Sequence, residues 1–127
     1  YEIHACTDVT GFGFLGHLHE MMHGERSCCI YAKDVPVIEE AKHHADEFLL
    51  TGAGQRNRNH VEPYVQFEGI SFAMEEILFD PQTSGGLLLA VPVAQAEKLC
   101  LALQKIQPQT AIVGEILPKS QKEIYVK

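Results

Sequence analysis

His4-Ala5-Cys6-Thr7-Asp8-Val9-Thr10-Gly11-Phe12-Gly13-Phe14-Leu15-Gly16-His17 changes character at Thr10. Before that point, Ile3 to Val9 mixes apolar and β-prone residues and suits a short strand or an extended lead-in. Beyond the glycines, Phe14, Leu15, Leu18, Met21 and Met22 fall on one helical face, with His17 and Glu20 opposite. Gly24 supplies the expected C-cap. The turn in between sets Asp8 at the mouth of a helix N-terminus, where backbone N–H groups and the dipole favour anions. A carboxylate there repels a bare phosphate but suits one bridged by Mg²⁺. Asp8 is therefore the candidate metal ligand, and Thr10, Gly11 and Gly13 are the candidate nucleotide- or phosphate-binding residues. An N-cap role for Asp8 or Thr10 accounts for the same residues equally well.

Working outward, Ser27 to Ala32 is β-prone and reads as a strand, and Pro36 then interrupts. Val37 to Leu50 reads as a charged helix, and Thr51 to Asn59 as a polar, glycine-containing loop. Val61 to Phe67 is a short strand or irregular, and Ser71 to Leu78 a short helix rich in Glu. Phe79-Asp80-Pro81-Gln82-Thr83-Ser84-Gly85-Gly86 is a dense cluster of turn formers. Leu87 to Val91 is a continuous apolar run, the pattern of a central strand buried on both faces. Ala94 to Ile106 carries a helical stripe of Ala96, Leu99, Cys100, Leu103 and Ile106. Two strands, Thr110 to Leu117 and Glu123 to Val126, close the chain. This alternation predicts an α/β (α+β) layered domain, a mixed central sheet flanked by helices. Leu87 to Val91, the helix and Thr110 to Leu117 together have the length of a right-handed crossover between parallel strands.

The 127 residues suffice for one domain with a sizeable core, and no linker or repeat divides them. With 46% hydrophobic and 21% charged residues the chain is globular rather than disordered. A net charge of −7, with no two Lys or Arg adjacent, argues against nucleic acid or an anionic membrane surface as partner. No apolar run approaches the ~20 residues of a membrane span. Four cysteines (Cys6, Cys28, Cys29, Cys100) lack any paired framework and read as reduced thiols of a cytoplasmic protein. A chain that begins at Tyr1 and enters a motif at once also reads as a fragment.

Two other motifs overlap the first helix. Gly11-x-Gly13-x-x-Gly16 matches a dinucleotide fingerprint, but Asp8 stands where a metal-free pyrophosphate would approach. His19-Glu20-Met21-Met22-His23 has the spacing of a zinc hydrolase site, though no third ligand has diagnostic spacing and Glu20 and His23 face away from the apolar stripe. Surface histidines explain that pattern better than zinc does.

The stretch His4 to His17 and the stretch Phe79 to Leu88 together resemble the C-terminal domain of the selenophosphate synthetase (selenide, water dikinase) family, along essentially the whole chain. The resemblance implies the fold of the aminoimidazole-ribonucleotide-synthetase-related ATP-binding superfamily. It also implies that residues 1–127 form a single domain, the C-terminal half of a two-domain enzyme. That enzyme makes selenophosphate from ATP, selenide and water, releasing AMP and phosphate. It uses Mg²⁺ and works as a homodimer built chiefly through its N-terminal domains. Asp8 matches the Mg²⁺ ligand contributed by this half. The family's reactive Cys or selenocysteine and its essential Lys belong to the N-terminal half, so no catalytic residue is expected in this chain and no activity from it alone. The Gly52-Ala53-Gly54-Gln55-Arg56-Asn57 stretch resembles a family loop only at Gly52 and Asn57. Arg56 and Arg58 are expected as solvated charges. The alternative from another class is a non-catalytic binding or regulatory module of the same fold.

Overall fold

The computed structural model describes residues 1–127 throughout. Strand β1 (Ala5–Asp8) leads into helix α1 (Gly13–Met22), followed by β2 (Ser27–Ile30), α2 (Glu39–Asp46) and α3 (Gly52–Val61). Then come β3 (Val65–Phe67), α4 (Phe72–Phe79), β4 (Leu87–Ala90), α5 (Val93–Gln104), β5 (Gly114–Leu117) and β6 (Ile124–Val126). The predicted class holds. A four-stranded mixed sheet runs in the order β3-β6-β2-β5, with β6 parallel to β2 and β3, and β5 antiparallel to β2.

Beside that sheet stands a separate antiparallel ribbon of β1 and β4, in the register Ala5↔Ala90 to Asp8↔Leu87. This corrects the expectation of a central, doubly buried strand at Leu87 to Val91. Leu87 is 70% exposed, and no residue of β4 is fully buried. The crossover is absent too, because β4 and β5 lie in different sheets. The stripe on α5 is only half-covered: no residue of that helix is buried, and Ile106 beyond its end is exposed.

The core lies between the mixed sheet and α1 and α4. Leu15 and Leu18 of α1, Leu78 and Phe79 of α4, and Ile124 and Val126 of β6 are all at most 2% exposed. The 3.6-residue period of α1 builds that face. The chain after Met22 turns through two left-handed residues, His23 (φ 50°) and Gly24 (φ 69°), with the His23 N–H returning to the Glu20 carbonyl.

Two helices depart from the sequence reading. The Val37 to Leu50 segment is helical only over Glu39–Asp46. Thr51 to Asn59, read as a loop, is most of helix α3. Its glycines weaken intrinsic helicity. Two local features offset this: the Thr51 hydroxyl caps the Gly54 N–H at 2.9 Å, and Val61 buries its side chain in the core. Ser71 caps α4 in the same way, accepting from the Met74 N–H.

Candidate functional site

The β1–β4 ribbon brings the two turn-rich motifs together. Asp8 ends β1 opposite Leu87, and the Val9 N–H donates to the Gly86 carbonyl at 3.0 Å. The Thr10 carbonyl accepts from the Gln82 N–H at 2.9 Å and from the Gly13 N–H at 3.0 Å. A Cβ on Gly85 would lie 2.3 Å from the Val9 carbonyl oxygen, so only glycine lets the second turn pass that close to the first. Asn57 of α3 completes the junction. Its amide Nδ2 donates to the Gly11 carbonyl (3.0 Å) and to the Phe79 carbonyl (2.9 Å), one from each motif.

The four predicted site residues sit on or beside this junction. Asp8 is exposed at the strand end, and the chain's ion pairs lie elsewhere. Thr10 is half-buried. Gly11 is exposed, with no atom within 4 Å of the place a Cβ would take, so a ligand can reach its backbone. Gly13 is buried as the first residue of α1. Neither Asp8 nor Thr10 caps that helix: the N-cap is Phe12, with no side-chain hydrogen bond. Neither candidate's side chain takes a first-turn N–H of α1, although the Gly13 N–H is taken by the Thr10 carbonyl.

His17 overturns its assignment to the outer face, being 7% exposed. Its Nε2 meets the Phe12 N–H at 3.3 Å and Thr10 Oγ1 at 3.1 Å, while Nδ1 lies 3.2 Å from Glu20 Oε2. A helical wheel locates His17 away from the α1 core stripe. What it cannot show is that the preceding loop folds back over that side of the helix.

The His19-Glu20-x-x-His23 residues turn to different partners. His19 Nδ1 bonds the buried Glu123 carboxylate at 2.6 Å, and its ring stacks on Tyr64. Glu20 meets His17, and His23 is exposed at the helix end. No group of three or more His, Cys, Asp and Glu side chains stands close enough to hold a metal ion by itself.

Behind the junction, Arg58 is not the solvated charge its loop-like context suggested. Its guanidinium bonds Glu62, Glu75 and Glu76 and lies 5.4 Å from the centre of the Phe79 ring. Partial burial opposes its charge, but the hydrogen bonds to the three carboxylates outweigh that and hold it protonated more firmly than usual. Glu76, 5% exposed, also accepts from Gln55. Arg56 is exposed. All four cysteines are free thiols. Burial, together with Glu123 and Cys29 nearby, pushes the Cys28 thiol up to about 12. Cys28 is therefore no nucleophile.

Residues 1–127 match the family described as AIR synthase related protein, C-terminal domain. The chain belongs to that family. Among similar proteins, the selenide, water dikinase of Agathobacter rectalis is 50% identical over 127 residues, covering 99% of this chain and 37% of that protein. A selenide, water dikinase of Desulfitobacterium hafniense is 48% identical over 119 residues, 94% of this chain and 35% of that protein. One from Pelobacter propionicus is 44% identical over 131 residues, 100% of this chain and 37% of that protein. The chain thus spans little more than a third of the length of these relatives. No helix is long and apolar enough to cross a membrane.

Proposed function

We propose that this chain is the C-terminal domain of a selenide, water dikinase and supplies one wall of its ATP phosphate site. The observation that carries the reading is the junction itself. An exposed carboxylate, Asp8, stands beside a loop whose Gly11 backbone is open to a ligand and whose shape is fixed by hydrogen bonds from the second motif. The likeness to proteins named selenide, water dikinase supports the reaction: ATP, selenide and water give selenophosphate, AMP and phosphate.

The donor set fits Mg²⁺ in one specific sense. Mg²⁺ is held by one or two carboxylates plus substrate phosphates rather than by an all-protein cage. One exposed carboxylate is such a contribution. When bound, Mg²⁺ would neutralise triphosphate charge during phosphoryl transfer. Asp8 anchors its side of that arrangement, and Thr10, Gly11 and Gly13 shape the backbone that faces the phosphates.

The remaining ligands, the Cys or selenocysteine and the Lys belong in this reading to an N-terminal domain, which also forms the homodimer. The protein works in the cytoplasm, in keeping with its four free thiols. The chain alone turns over no ATP.

The test is Asp8→Asn in the full-length protein. The expected result is near-complete loss of ATP consumption and AMP release, with an unchanged thermal unfolding profile. Near-normal turnover would refute the metal role, and a full-length wild type without ATP turnover would favour the non-catalytic module.

A further inference from the structure

His17 is buried under the loop that carries the proposed phosphate contacts, and its hydrogen bonds determine its chemical state. A backbone N–H can only donate. The Phe12 N–H meets Nε2 at 3.3 Å, so that nitrogen presents a lone pair. The same bare nitrogen faces Thr10 Oγ1 at 3.1 Å, which makes the hydroxyl the donor there as well. A neutral imidazole with Nε2 bare carries its proton on Nδ1, and Nδ1 lies 3.2 Å from the acceptor Glu20 Oε2. The two contacts at Nε2 decide the tautomer, and the Glu20 carboxylate stands on the Nδ1 side. The Phe12 ring also lies against the imidazole, with centroids 5.4 Å apart.

We propose that His17, in the neutral Nδ1–H form, is a positioning residue that latches Thr10 and Phe12 from below. It thereby sets the backbone of Thr10-Gly11-Phe12 against the nucleotide phosphates. Two neighbours of Gly11 are held by one ring nitrogen, and Gly11 itself is held only through its carbonyl, by Asn57. Beyond its chain neighbours, no atom stands within 4 Å of the place a Gly11 Cβ would take. The positioning role rests on the phosphate-site reading, whereas the tautomer and the latch do not.

The experiment uses the full-length protein. Long-range ¹H–¹⁵N correlation of the imidazoles, without nucleotide, is expected to give His17 the Nδ1–H tautomer, and amide exchange at Phe12 is expected to be slow. His17→Leu keeps the buried volume but no acceptor. Phe12 exchange should then speed up at least tenfold, and the affinity for Mg-ATP should fall about tenfold. His17→Gln, which can place a carbonyl oxygen near the Nε2 position, should recover most of both.

An Nε2–H tautomer overturns the proposal, as does a His17→Leu variant with wild-type Phe12 exchange or wild-type Mg-ATP affinity. Equal loss in His17→Gln and His17→Leu with both folded also overturns it. Failure of the phosphate-site reading shows differently: Asp8→Asn retains turnover while the tautomer and Phe12 protection remain as described.

Discussion

A Cβ on Gly13 would lie 2.6 Å from the carbonyl oxygen of Phe79, inside any permissible contact. Gly13 also holds φ at +72°, in the left-handed region that side chains rarely occupy. The glycine that begins α1 is thus required by the end of α4. Its spacing with Gly11 and Gly16 mimics a dinucleotide fingerprint for a reason internal to the fold. Gly13→Ala is expected to destabilise the domain by about 2–4 kcal/mol, since close backbone contact and backbone strain act together. Urea unfolding measures this; a loss below about 0.5 kcal/mol would mean the two segments separate without penalty.

Arg58 stands between three carboxylates whose burial differs. Glu76 is 5% exposed on its side chain and Glu62 50%. Replacing Arg58 with Met keeps much of the packing on Phe79 but strands Glu76 without its cation. A cost of about 3 kcal/mol is expected. Glu62→Gln removes only a solvated partner and should cost less than about 1 kcal/mol. Urea titrations of both variants give the comparison, and equal effects would show that burial does not rank these contacts.

Stability should fall in alkali for a reason traceable to Cys28. Its thiol, near 9 in the unfolded chain, rises to about 12 in the fold. Between those values the native state keeps a proton that the unfolded chain releases, so rising pH favours unfolding by about 1.4 kcal/mol per unit. Tyr31, whose phenol donates to Glu115 at 2.6 Å and is likewise raised to about 12, adds its own effect only above its ordinary value of 10. Tyr125, lowered from its ordinary value of 10 by hydrogen bonds with Ser120 and the Lys122 N–H, acts in the opposite sense below pH 10, so the thiol's share between pH 9 and 10 is read from the difference between wild type and Cys28→Ala. Cys28→Ala should flatten the pH dependence of urea midpoints in that interval, and an unchanged slope would assign it to other groups.

How much of this was legible depended on whether a residue's surroundings are local. Helix α1 was readable because its core face follows from period alone, and Leu15 and Leu18 are buried as expected. Helix α3 was not. Gly52, Gly54 and Asn57 look like a loop, and what makes them helical is a cap from Thr51 and burial at Val61. Leu87 to Val91 misled for a related reason: an apolar run records hydrophobicity but not the number of faces that will be covered, and Leu87 remains exposed. For the site, Asp8 and its glycines could be singled out from residue type. His17 and Asn57 could not be assigned roles, because their partners are carbonyls, amides and hydroxyls set in place by the return of the chain.

The pairing of Asp8 with Leu87 has a bearing on synthesis. The first motif leaves the ribosome well before the second. Until Gln82, Gly85 and Gly86 follow, Thr10 and Val9 have no strand or turn to lean on. Contacts between such distant parts of a chain form only after the intervening loop has closed. A nascent chain that stops short of β4 therefore carries the carboxylate without the brace, and the junction takes shape only once β4 has been made.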